Sequence, residues 1–119
     1  MKKLLLLLVI LTSCSTIGNR IDCKDLTFKN LRAELLKNNF TIVFSDEENH
    51  IVNAQYAVYN AKIDYVITVN ENNIEVICTT ETEFGKAYHK VKNRSEFKHI
   101  MKFIETQCNS KFVDYEIGK

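Results

Sequence analysis

Between Phe40 and Thr80 the side chains alternate with a period of two, and short polar turns interrupt the alternation three times. Phe40, Ile42 and Phe44 alternate with Thr41, Val43 and Ser45 before the Asp46-Glu47-Glu48-Asn49 turn. Val52, Ala54, Tyr56 and Val58 follow, and the chain turns again at Tyr59-Asn60-Ala61. Ile63, Tyr65, Ile67 and Val69 precede Asn70-Glu71-Asn72-Asn73, a strong hairpin loop, and Ile74, Val76, Cys78 and Thr80 close the series. Strands joined by connections this short are antiparallel neighbours, so the stretch predicts a meander and excludes a parallel α/β sheet.

Helical periodicity flanks the meander. Phe28, Leu31 and Leu35, with Leu36 beside them, give one apolar stripe over about 26–38, with Asp25 placed to cap it and Asn38 and Asn39 to close it. Asn93-Arg94-Ser95-Glu96 reads as a capping box ahead of Phe97, Ile100, Met101, Ile104 and Cys108. Phe84 to Lys92 is a loop or a fifth short strand, and Phe112 to Ile117 could add a terminal one. The expected fold is α+β and two-layered: an antiparallel four-stranded meander, five-stranded if residues 84–92 join it, with the N- and C-terminal helices on one face. That face should carry Phe40, Ile42, Phe44, Tyr56, Ile63, Tyr65, Ile67 and Val76.

The N-terminus carries an address. Lys2 and Lys3 precede an unbroken apolar run from Leu4 to Leu11. Its eight residues are far short of the roughly 20 that span a bilayer, and the pattern is that of a secretory signal. Leu11-Thr12-Ser13-Cys14 then resembles the lipobox of bacterial lipoproteins: an aliphatic residue, two small ones and a Cys. The resemblance covers only the first 14 residues. It implies that the Cys14 thiol receives a diacylglyceryl group, that residues 1–13 are removed, and that the new amine is acylated in many species. Membrane lipid, held through Cys14, is then a partner, and the location is the cell envelope. By the enterobacterial sorting pattern Ser15 favours the outer membrane, facing the periplasm, in a Gram-negative host. The rival is an ordinary secretory signal with Cys14 incidental. After the lipidated Cys14, the stretch to Ile21 reads as a polar tether, at most about 25 Å long, and 22–119 as a single domain.

Cys23, Cys78 and Cys108 remain. Cys78 alternates with core residues and should behave as a small hydrophobe. Cys23 precedes the first helix and Cys108 ends the last; if the helices lie antiparallel those ends meet, and a Cys23–Cys108 disulfide can form. Three free thiols are the alternative in an anaerobic host. Charge is segregated: residues 38–85 hold eight acids (Asp46, Glu47, Glu48, Asp64, Glu71, Glu75, Glu81, Glu83) against Lys62 alone, while Lys86, Lys90, Lys92, Arg94, Lys98 and Lys102 cluster near the last helix. Each layer is a solvated surface or one pole of an orienting dipole. The formal net charge of +1 gives no case for nucleic-acid binding.

Chemistry-bearing patterns are sparse. His50, His89 and His99 lack zinc spacing, Asp46, Glu48 and Asn49 lack the full calcium-loop set, and a Cys78–His dyad would need an activated thiol. Glu81 and Glu83 would share a face on a strand, and an exposed acidic strand end is the plainer reading. No catalytic residue, metal site or cofactor is assigned. The outer sheet face, by alternation Val43, Ile51, Asn53, Gln55, Tyr59, Asp64, Val66, Thr68, Glu75, Ile77 and Thr79, is unusually apolar for a face left in water. Val43, Tyr59, Val66 and Ile77 form the candidate interaction face, against the plainer reading of scattered surface aliphatics. The expected function is a non-enzymatic, membrane-anchored envelope interaction module, docking an envelope protein or a second copy. The alternative is an inhibitor or immunity-type lipoprotein that neutralises a hydrolase or toxin through its acidic layer.

Overall fold

The computed structural model describes residues 16–59 and 61–117; the signal segment and Cys14 lie outside them. In chain order the elements are β1 (Ile17–Asp22), α1 (Phe28–Lys37), β2 (Thr41–Asp46), β3 (Ile51–Val58), β4 (Ala61–Val69), β5 (Asn73–Thr82), β6 (Gly85–His89), two short 3-10 turns, α2 (Lys98–Cys108) and β7 (Val113–Glu116). All seven strands form one antiparallel sheet, ordered β2-β3-β4-β5-β1-β7, with β6 also on β5. The fold is α+β as expected, with a larger sheet than four or five strands. Residues 85–89 form β6 and residues 113–116 form β7.

The largest correction is β1. The stretch expected to be a tether up to Ile21 is largely a strand inserted between β5 and β7. Its apolar alternation is broken by Asn19, which points inward and is 2% exposed. Asn19 is tolerated because both ends of its amide are used: Oδ1 accepts from the Val91 N–H and Nδ2 donates to Asp114. On the opposite face Gly18 is required, since a Cβ there would come within 2.8 Å of the Tyr115 ring.

Both helices bury their stripes in one core with the inward sheet residues. Leu31 and Leu35 of α1 and Ile100 and Ile104 of α2 join Ile21, Val52, Ala54, Ile63, Tyr65, Ile67, Ile74, Val76 and Cys78. Phe40 meets Tyr65 edge-on, and Tyr65 stacks on Phe97 at 4.6 Å between centroids. The cap of α1 is Thr27, not Asp25, and accepts from the Asn30 N–H. The expected capping box is absent: Glu96 lies in a 3-10 turn, where its carboxylate accepts from Arg94 and from the Tyr65 hydroxyl. Burial drew that carboxylate to inward partners rather than to the helix end.

Cys23 and Cys108 are joined by a disulfide, and Cys78 is free and buried. The bond spans 85 residues of sequence. In the chain-entropy model a loop of that length restricts the unfolded chain by about 4–5 kcal/mol.

Candidate functional site

The sheet face away from the helices is open, and a β-bulge in β2 decides what it displays. Ile42 pairs with Ala54, but Phe44 pairs with Asn53, leaving Val43 as the extra residue without a cross-strand partner. The bulge reverses the parity of β2. Phe44, expected in the core, turns outward and is 57% exposed, while Ser45 turns inward and accepts from Arg32 of α1. Strict alternation could not reveal this, because a one-residue slip exchanges every later side chain between faces.

Across the strands the register places Phe44 beside Asn53, Asn53 beside Val66, and Val66 beside Ile77. Val66 and Ile77 of the candidate face are therefore direct neighbours, each half-buried. Val43 is exposed at the bulge, and Tyr59 does not belong to this row. It lies at the β3–β4 turn with a left-handed backbone, φ 53°. Ile51, Gln55, Asp64, Thr68, Glu75 and Thr79 share the row's face by the same register. At the centre, Asn53 Oδ1 is buried and has no hydrogen-bond partner among the described residues. Gln55 donates to Asp64 beside it. On the β1 side the face is closed by polar contacts: the Tyr115 hydroxyl donates to Glu75, and Arg20 stacks on the Tyr115 ring at 4.3 Å.

The β2–β3 and β4–β5 loops and the start of α1 border a cleft of about 600 Å³, lined by Leu26, Phe28, His50, Val69, Asn70 and Glu71 among others. His50 stacks on Phe28. Asp46, Glu47, Glu48 and Glu71 gather in these two loops, and Glu47 forms an ion pair with Arg32. Asp46 is committed to its own turn, accepting from the Asn49 side chain and from the Asn49 and Glu48 N–H groups. Those bonds, led by the Asn49 side chain, hold its carboxyl below the usual range. This explains the calcium-loop resemblance without a cation. Glu81 ends opposite Lys86, whereas Glu83 lies past the end of β5, so the two acids do not share a strand face.

Cys78 and His89 face one another across β5 and β6. Burial pushes the thiol up to about 11, with Tyr65 and Arg94 acting the other way, and burial followed by the Arg94 charge lowers the imidazole. The imidazole shares a hydrogen bond with Thr80 at 2.8 Å. Both changes favour the neutral forms, so this pair does not form an activated thiolate. The basic cluster is partly neutralised, Lys90 by Asp114 and Arg94 by Glu96, leaving Lys86, Lys92, Lys98 and Lys102 exposed.

Among the described residues no group of three or more His, Cys, Asp or Glu is placed to hold a metal ion, and no helix is long and apolar enough to cross a membrane. No family model, curated protein or solved structure matches the chain.

Proposed function

We propose that the chain is a lipid-anchored bacterial envelope protein, and that its domain is a non-enzymatic interaction module docking a partner protein on the open sheet face. The row Phe44–Asn53–Val66–Ile77 carries this reading. It sets the apolar side chains of Phe44, Val66 and Ile77 around one amide, that of Asn53, on the open face of the sheet. The Leu11-Thr12-Ser13-Cys14 motif supports the anchor, and the Cys23–Cys108 bond suits an oxidising compartment. In a Gram-negative host the outer membrane, facing the periplasm, is the expected site.

The test compares wild type with Val66→Lys and Ile77→Lys in affinity capture from the native envelope. Loss of a captured protein in both variants, with folding retained, supports the face as the dock. Capture unchanged by both substitutions rules it out. The anchor is tested separately by metabolic labelling with a fatty-acid analogue, which Cys14→Ala should abolish.

The acidic loops around the cleft favour one alternative, an inhibitor or immunity-type lipoprotein that neutralises a basic hydrolase or toxin. Glu48→Lys with Glu71→Lys would then abolish capture, while Val66→Lys would leave it intact.

A further inference from the structure

The two ends of the sheet differ in chemistry. At one end the connections are acidic and polar: Asp46-Glu47-Glu48-Asn49 after β2 and Asn70-Glu71-Asn72 after β4. At the other end two hairpins close together, because Ile63 pairs with both Tyr56 and Thr80. The β3–β4 and β5–β6 turns are therefore two strand spacings apart, about 10 Å. Each turn presents an aromatic side chain to solvent: Tyr59 is 100% exposed and Phe84 is 96% exposed. Among the described residues, none covers either ring. The flanking charges balance, Lys62 and Lys86 against Glu81 and Glu83.

The path of β1 relates this end to Cys14. Asn19 faces Val76 and Asp22 faces Asn73, so β1 runs against β5 and its upstream end points toward the hairpin turns. Upstream of Asn19 the β5 edge passes to β6, where His89 pairs with Cys78, and Ile17 pairs with Glu116 of β7 two residues further along, at about the height of Cys78. Phe84 lies beyond that level by five or six residues of strand, about 16–20 Å. Cys14 precedes Ile17 by only three residues, a reach of at most about 10 Å. With the strands upright, a lipid on Cys14 therefore brings the hairpin turns to the bilayer at or before the anchor's own level.

From this we infer that Tyr59 and Phe84 form a second membrane contact, seated in the headgroup and upper acyl region of the bilayer that holds Cys14. The inference rests on the lipid-anchor reading above. Aromatic rings on polar turns suit that depth, and the four flanking charges remain at the headgroups. The contact orients the domain. With two rings and the lipid fixed in one plane, the acidic loops and their cleft point away from the membrane, and the open sheet face stands roughly perpendicular to it.

The chain contains no Trp, so one introduced Trp reports its own depth. Tyr59→Trp, Phe84→Trp and, at the opposite end, Glu71→Trp are purified as full-length, natively processed protein and reconstituted in vesicles of phosphatidylcholine with or without bromine on the acyl chains. Emission from the Trp at positions 59 and 84 should shift to the blue and be lost in brominated vesicles, while the Trp at position 71 keeps a water-exposed spectrum and is not quenched. Unquenched emission at 59 and 84, in protein that floats with the vesicles, overturns the second contact and leaves the anchor standing. Quenching at 71 instead overturns the orientation. The anchor is scored independently by mass spectrometry of the purified wild-type protein: if its N-terminus is not a diacylglyceryl-modified Cys14, the lipid-anchor reading itself fails.

Discussion

The two faces of the sheet are made from the same strands, residue by residue, yet they meet different physical demands. On the inner face Val52, Ala54, Ile63, Tyr65, Ile67, Ile74, Val76 and Cys78 are all buried, and the polar atoms drawn in are paired: Tyr65 with Glu96, Asn19 with Val91 and Asp114. On the outer face Val66, Ile77 and Asn53 are half-buried, and one buried amide oxygen has no partner among the described residues. A satisfied, buried face contributes to folding; a face with apolar surface left over is available for association. The comparison predicts that substitutions inside should act on stability and substitutions outside on binding.

The sharpest contrast is between two phenylalanines. Phe97 is fully buried against Tyr65, so Phe97→Ala should cost about 3–5 kcal/mol. Phe44 is exposed on the outer face, and Phe44→Ala should stay within about 0.5 kcal/mol. Urea denaturation of both variants measures this, and equal losses would erase the distinction between the faces.

Next is the bond across the base of the helical layer. Replacing Cys23 and Cys108 together by Ser should destabilise the protein by about 2–5 kcal/mol, and Cys78→Ala by less, since Cys78 acts only as a small buried hydrophobe. Denaturation curves of the two variants, compared with wild type under non-reducing conditions, rank them.

A smaller and pH-dependent effect belongs to Glu96. Burial raises its carboxyl, but the hydrogen bonds from Arg94 and Tyr65 outweigh burial and hold it below the usual range. A lowered folded value means that its contribution is complete above the ordinary carboxylate value, about 4.3, and is lost as pH falls through the folded value. Tyr65→Phe should cost about 1–2 kcal/mol at neutral pH. The advantage of wild type over Glu96→Gln should shrink steadily as the solution is acidified below about pH 4. A difference between those two proteins that stays constant with pH would show that the Arg94–Glu96–Tyr65 cluster contributes nothing through its charge.

The smallest stability effect is expected at Val66. Its aliphatic side chain lies half-buried between Asn53 and Ile77, where Lys can lay its stem along the row and keep its ammonium in water. Thermal unfolding of Val66→Lys should differ from wild type by no more than about 0.5 kcal/mol. Collapse of that variant would mean that the outer row helps hold the fold, and the comparison of faces would need revision.

How legible these features were depended on range. The helical stripes of Phe28, Leu31 and Leu35 and of Ile100 and Ile104 were readable because local periodicity creates them, and so was the meander from β2 to β5. Cys23 and Cys108 were readable as a pair because each sits beside a helix end, and two helices laid antiparallel on one sheet bring those ends together. β1 was not, since the partners that make Asn19 acceptable inside, Val91 and Asp114, are 72 and 95 residues away. Phe84 carried a signal that could have been used: a lone aromatic in the polar run Thr82-Glu83-Phe84-Gly85 has no periodic neighbour to join in a core.

The sequence by itself determined the two helices, the meander from β2 to β5, the inward set of β3, β4 and β5, and the Leu11-Thr12-Ser13-Cys14 pattern, because each depends on residues near one another along the chain. Only the tertiary structure decided the strand order β4-β5-β1-β7, the outward turn of Phe44, the buried Asn53 oxygen and the gathering of Tyr59 and Phe84 at one end. Those depend on which distant segments compete for the free edge of β5 and on where one extra residue enters a ladder. No window of local sequence contains either fact.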